Sequence, residues 1–266
     1  MTRFRATVEY DGHDYYGWQR QAGRRTVQGT LEDGLADVTG ARTAVVGAGR
    51  TDVGVHAVGQ VMHFDSSWDH AGSVLQRALN AVLPRDVAVA GVGTVPDAFH
   101  ARFDAVRRSY RYVLWRGAVR SPLRRRTSLH VPHALSVEAM RDAAARFVGA
   151  HDLAAFGTPP VKGGTTVRRI DRCTVEVVGA EVWIEVEGNA FLRHQVRRMV
   201  GVLLDVGRGW CAPDAVTRAL AGETAAVKPR RVPAHGLTLM AVWYPPAVEG
   251  ALGAPANMDT RIGSGR

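Results

Sequence analysis

Residues 3 to 10 constrain the chain most: Phe4, Ala6, Val8 and Tyr10 alternate with Arg3, Arg5, Thr7 and Glu9, the two-residue period of a half-buried strand. The period then lengthens. Thr26 is placed to cap a helix whose apolar face is Val27, Leu31, Leu35 and Val38 and which ends near Gly40. A strand follows at Gln60 to Phe64, then a helix from Ser73 to Leu83, capped by Ser73 and carrying Val74, Leu75, Ala78, Leu79 and Val82, then a strand from Val87 to Val95. The order is β-α-β-β-α-β, the split βαβ pattern in which helices cover one face of an antiparallel sheet.

A second round follows. Ser109 to Trp115 alternates, and Ser136 to Val148 is helical with Val137, Met140, Ala144, Phe147 and Val148 inward. Strands near Val167 to Val178 and Val182 to Glu187 precede a helix from Ala190 to Val206, a short helix near Pro213 to Leu220 and a strand from Leu237 to Val242. The expected fold is α+β: two ferredoxin-like halves, residues 1–105 and 106–246, with antiparallel sheets, helices on one face and an active-site cleft between the halves. Residues 247–266, rich in Gly, Ala and Pro, read as a disordered tail.

Charge narrows the partners. Thirty-four Lys and Arg against 25 Asp and Glu give a net charge of +9, and Lys162 and Lys228 are the only lysines. Codon bias can favour arginine over lysine, but it does not explain the excess over acid. Guanidinium groups suit phosphate, and a strongly basic chain meets nucleic acid. Four basic segments, around Arg102, Arg107-Arg108, Arg124-Arg125-Arg126 and Arg168-Arg169, fall at element ends and could form a phosphate track. Cys173 and Cys211 lack metal-ligand spacing and read as reduced core thiols. No apolar run approaches about 18 residues, and Met1 to Arg5 lacks a secretory segment, so a cytoplasmic location is expected.

The stretch most suggestive of chemistry is Gly47-Ala48-Gly49-Arg50-Thr51-Asp52-Val53-Gly54-Val55-His56. A cation beside a carboxyl group favours its ionised form. Asp52 therefore reads as an anionic nucleophile or base, or else as one partner of an ion pair on a surface turn. Upstream, Asp11 to Gln21 interleaves turn residues with Tyr15, Tyr16 and Trp18, which is either a stacking surface for single-stranded RNA or a loop folded over its own aromatics. On the helix from residue 190, Leu192, Val196, Met199 and Leu203 form the core stripe, with Arg197 at its flank. A half-buried arginine calls for an anion, here Asp52 or a phosphate, unless its head snorkels to water.

Four blocks in order resemble the tRNA pseudouridine(38-40) synthase family: Glu9-Tyr10-Asp11-Gly12 with Gly17-Trp18-Gln19; Gly49-Arg50-Thr51-Asp52-Val53-Gly54-Val55-His56; Phe99-His100-Ala101-Arg102-Phe103 with Arg108-Ser109-Tyr110-Arg111-Tyr112; and Asn189-Ala190-Phe191 with His194-Gln195-Val196-Arg197. The resemblance implies a homodimer that holds tRNA, without metal or cofactor, and isomerises uridine to pseudouridine at positions 38, 39 and 40 of the anticodon stem-loop. It implies that Asp52 attacks the flipped-out nucleotide at C1′ or at C6, that Tyr110 packs against the target base, that Arg197 pairs with Asp52, and that Arg50 holds the displaced nucleotide's place or its phosphate. Membrane and DNA are not expected partners. Val53 stands where the family usually has alanine and is expected to face the core. Arg193 and His194 stand where it often has two histidines. Two other readings compete: a metal-dependent phosphoesterase using Asp52, His56, His63 and Asp65, and a non-catalytic RNA-binding module.

Overall fold

The structure, a computed structural model, describes residues 1–246; the tail read as disordered lies outside the described residues. Two compact units emerge, residues 1–106 with 238–246, and Arg107–Leu237. The N-terminal unit runs β1 (Thr2–Tyr10), α1 (Val27–Thr39), β2 (Val46–Gly47), β3 (His56–Ser66), α2 (Gly72–Val82) and β4 (Val87–Thr94). The C-terminal unit runs β5 (Arg107–Trp115), β6 (Leu129–His130), α3 (Val137–Ala145), β7 (Gly149–Asp152), β8 (Val167–Val178), β9 (Glu181–Gly188), α4 (Gln195–Gly207) and α5 (Asp214–Leu220). A last strand, β10 (Leu237–Trp243), returns to the N-terminal unit. The chain is thus α+β, and its strands pair mostly antiparallel.

In the N-terminal unit β1 pairs antiparallel with β3 on one side and β4 on the other, β2 adds antiparallel to β3, and β10 adds parallel to it. Phe4, Ala6, Val8 and Tyr10 are buried as their alternation requires, and Phe4 sits opposite Phe64 with ring centroids 5.6 Å apart. The Thr26 hydroxyl accepts the Gly29 N–H at 3.2 Å, and α1 ends where Gly40 turns left-handed at φ 72°. Leu31 and Leu35 on its inner face are fully buried, each stabilising by roughly 1.5–3 kcal/mol. The start of α2 differs from expectation. It begins at Gly72 after Ala71, with no side-chain cap, because Gly72 lies so close to β4 that a Cβ there would meet the Val92 carbonyl oxygen at 2.3 Å. Packing rather than the Ser73 hydroxyl sets that terminus, and Val82 is left exposed.

In the C-terminal unit the strands lie in the order β5-β9-β8-β7, all antiparallel, with β6 parallel to β5. Along β9 Val182, Ile184 and Val186 are buried, while Glu181, Trp183, Glu185 and Glu187 line the other face. Arginines from neighbouring segments close on that face: Arg124 on Glu181 (2.8 Å), Arg111 on Glu185 (2.7 Å), and Arg172 on Glu185 (3.2 Å) and Glu187 (3.7 Å). Arg107 reaches Glu187 at 3.6 Å, and the Arg111 guanidinium lies 4.0 Å from the Trp183 ring centroid. Several arginines that the sequence offers as a phosphate track therefore have carboxylates of their own unit to meet.

Helix α4 also departs from expectation, starting at Gln195 rather than Ala190. Residues 189–193 are held otherwise: the Asn189 side-chain oxygen accepts the N–H groups of Arg169 (3.0 Å) and Ala190 (2.8 Å), and the Gln195 side-chain oxygen accepts that of Leu192 (2.8 Å). Of its residues only Arg198 is not buried, and the polar Gln195, Arg197 and Asp205 are buried beside the apolar stripe, so neighbours enclose the helix on nearly every side. Its close neighbour is the segment at 230, where a Cβ on Gly201 would meet the Arg230 carbonyl oxygen at 2.0 Å. Cys173 is buried, which pushes its thiol up to about 12, but Cys211 is only half-buried; both are free. Among the described residues no helix is long and apolar enough to cross a membrane.

On β3 the buried His63 accepts the Ala101 N–H at Nδ1 (3.1 Å). Burial first, then the nearby Arg3 and His100, push this imidazole down from 6.5 to about 4. Between those values the unfolded chain binds a proton that the folded chain does not, so the contribution is complete above about pH 6.5 and is lost as the pH falls towards 4, by up to about 3 kcal/mol. Urea unfolding between pH 7 and 4 checks this: His63→Gln should show a shallower loss of stability than wild type, and parallel slopes would remove the assignment.

Candidate active site

Asp52 sits in the loop between β2 and β3, and the first motif block converges on that loop's backbone. The Trp18 N–H donates to the Thr51 carbonyl (3.1 Å), the Val55 N–H to the Asp52 carbonyl (3.1 Å), and the Gln60 side chain to the Gly49 carbonyl (2.7 Å). Tyr10 and Thr51 share a hydroxyl hydrogen bond of 2.8 Å. Gly12 and Gly17 make the approach possible. A Cβ on Gly12 would meet the Val55 carbonyl oxygen at 1.9 Å; one on Gly17, at φ 79°, would meet that of Thr51 at 2.7 Å. His56 Nδ1 takes the Gly12 N–H (3.1 Å) and lies 3.0 Å from an Asp11 carboxylate oxygen. Asp52 is half-buried, and Arg50 is exposed on the same loop.

Val53 corrects an expectation: 55% of its surface is exposed, so it does not face the core. Because the loop is anchored through main-chain groups of Thr51 and Asp52 on one side and buried Val55 on the other, the residue between them points outward. The aromatics of the upstream loop divide. Tyr15 and Trp18 are buried, with Trp18 against Gly47, while Tyr16 is exposed beneath the Arg24 guanidinium, 4.4 Å from its centroid. That loop is folded largely over its own rings.

Tyr110 and Arg197 belong to the C-terminal unit. Tyr110, on β5, is half-buried and meets Phe191 edge-on, centroids 5.2 Å apart at 86°. Arg108 braces the same region by donating to the Asn189 carbonyl at 2.7 Å. Arg197 is buried in the first turn of α4, just after His194, which opens the helix in a left-handed conformation at φ 65°. Its Nε donates to the Val232 carbonyl at 2.8 Å, which holds the guanidinium rather than letting it snorkel. Beside it the buried Tyr112 hydroxyl donates to the Pro233 carbonyl (2.9 Å); burial pushes that phenol upward and Arg197 opposes the shift. Gly236 permits this packing, since its Cβ would fall 2.6 Å from the Tyr112 ring. The roles of Gly12, Gly17, Gln60 and Asn189 were not assigned from the sequence; the only signal for the glycines and Asn189 was their place inside the motif blocks, and Gln60 was read only as the start of a strand.

The metal-site alternative is not assembled. Asp65 forms a two-point pair with Arg3, at 2.8 Å for each bond, His63 serves the Ala101 N–H, and His56 serves Gly12. Among the described residues no three His, Cys, Asp or Glu side chains converge to hold a metal ion.

A family model described as tRNA pseudouridine synthase matches residues 6–104 and 143–245, and the chain belongs to that family, making it an isomerase of tRNA modification. The tRNA pseudouridine synthase A of Syntrophotalea carbinolica is 44% identical over 254 residues, covering 94% of this chain and 100% of that one. That of Roseiflexus castenholzii is 44% identical over 248 residues, covering 92% of each. The Bacillus licheniformis protein of the same name is 39% identical over 244 residues, 91% of this chain and 99% of its own.

Replacing Gly17 tests the brace. Gly17→Ala adds a methyl group at positive φ against the Thr51 carbonyl, and should destabilise the protein by about 1–3 kcal/mol in urea unfolding while lowering isomerase activity more than stability alone explains. Unchanged unfolding and activity would show that the loop does not need this contact.

Proposed function

We propose that this chain isomerises uridine to pseudouridine at positions 38, 39 and 40 of the tRNA anticodon stem-loop, with Asp52 as the nucleophile. The observation that carries this reading is the loop itself, in which hydrogen bonds and two close glycine approaches hold the backbone around a half-buried Asp52. A nucleophile must be presented in place before its substrate arrives. The nucleotide must leave the stack to reach it, at a cost of a few kcal/mol that stacking and phosphate contacts offset.

The carboxylate oxygen attacks the uridine at C1′ or at C6. By the first route the C1′–N1 bond breaks and its electron pair leaves with the uracil. The freed base turns and C5 bonds to C1′, displacing the carboxylate. C5 then loses its proton and N1 gains one, so that the product is an isomer of the substrate. The motif match assigns Tyr110 to pack against the target base, Arg197 to pair with the carboxylate and Arg50 to the displaced nucleotide or its phosphate. The same match supports two ferredoxin-like units, a homodimer and a cytoplasmic site of action.

Tritium release from tRNA labelled at uridine C5, measured beside tRNA affinity, separates a catalyst from a binding module. Asp52→Asn should bind tRNA nearly as wild type and release no detectable tritium; appreciable turnover would take Asp52 out of the nucleophile role. Tyr110→Phe should lose less activity than Tyr110→Ala if the ring acts by packing, whereas equal losses would assign the role to the hydroxyl.

A further inference from the structure

The segment joining β4 to β5 presents an aromatic ring that the isomerisation leaves unused. Phe103 is 74% exposed. One face of its ring lies on His100, with centroids 4.2 Å apart and planes at 29°, and the residue is otherwise largely open to solvent. An exposed apolar side chain alone is ordinary; the backing here is not. The His100 ring is fixed because its Nδ1 accepts the N–H groups of Arg102 and Phe103, both at 3.2 Å. The turn is closed by the His100 N–H donating to the Asp104 carboxylate (2.8 Å) and the Asp104 N–H donating to the His100 carbonyl (3.1 Å). Ala101 beneath it is pinned from both sides, its N–H to buried His63 and its carbonyl accepting the Tyr244 hydroxyl at 2.7 Å. The Arg102 guanidinium carbon lies 5.8 Å from the Phe103 ring centroid. A flat ring held rigid and open, with a cation alongside, matches a nucleobase and the phosphate next to it.

We propose that Phe103, backed by His100, is a stacking platform for an unpaired base of the tRNA, with Arg102 set to meet the adjoining phosphate. The proposal rests on the reading of the chain as a tRNA-modifying enzyme. Such a platform adds affinity at little ordering cost, since its turn is already closed in the free protein.

The test is the affinity of full-length protein for unmodified tRNA transcript, with sedimentation and thermal unfolding on the same samples. Phe103→Ala should weaken binding by about 5- to 100-fold, Phe103→Tyr should stay within about twofold of wild type, and Phe103→Leu should lose nearly as much as alanine because it lacks a π face. The salt dependence of binding should keep its slope in Phe103→Ala and become shallower by about one in Arg102→Ala. Thermal midpoint and sedimentation should not move for Phe103→Ala. Wild-type affinity in Phe103→Ala, full recovery by leucine, or a change in oligomeric state would overturn the platform, the last by giving the ring to a second copy of the chain. Failure of wild type to form pseudouridine in the transcript would instead sink the functional reading, and is scored separately.

Discussion

Main chain packed directly on main chain, at Gly12 against Val55 and at Gly17 against Thr51, is the constraint on which the N-terminal unit depends. No side chain fits in either gap, so the loop between β2 and β3 is located by groups with almost no freedom to rearrange. The hydrogen bonds from Trp18, Tyr10 and Gln60 then fix what the close approach allows. A carboxylate carried on such a loop needs little ordering when a substrate arrives, and lost ordering is the part of a bimolecular barrier that positioning can remove. The neighbouring His56 serves this placement, its Nδ1 being engaged by Gly12 and Asp11.

The C-terminal unit solves a comparable problem with a helix end. His194 starts α4 from the left-handed region, an uncommon conformation for any residue but glycine, and Arg197 follows in the first turn, buried, with its Nε on the Val232 carbonyl. A buried guanidinium is tolerable only where acceptors surround it, and the segment crossing α4 at 230–233 supplies carbonyl groups there. Asn189 binds two backbone N–H groups and, through its own carbonyl, Arg108, so the chain entering the helix is as tightly held as the helix.

What could be read beforehand followed from period and cap. β1, α1 and the Ser136 cap of α3 were legible because alternation or a hydroxyl before an apolar face decides them locally. The starts of α2 and α4 were not, because distant partners decide them: Val92 presses on Gly72, and Asn189 ties the chain before α4 to β8 by taking the Arg169 N–H. The short pairings of β2, β6 and β7 carry too few residues to show a period. At the site, Asp52 stood out as an acid between cations among glycines, whereas Val53 was misjudged because facing is set by the anchoring of its neighbours. The arginine excess signalled an acidic partner correctly in kind, but without partners in view it could not show how many guanidinium groups β9 would claim.

The alternating face of β9 also bears on how the chain avoids misassembly. If the strand slid by one residue, Glu181, Glu185 and Glu187 would turn into the apolar layer, and Val182, Ile184 and Val186 would come to lie among guanidinium groups. Each carboxylate stranded in that layer would carry a penalty of several kcal/mol. The paired charges on the outer face thus help to make the nearest wrong alignment of the sheet inaccessible.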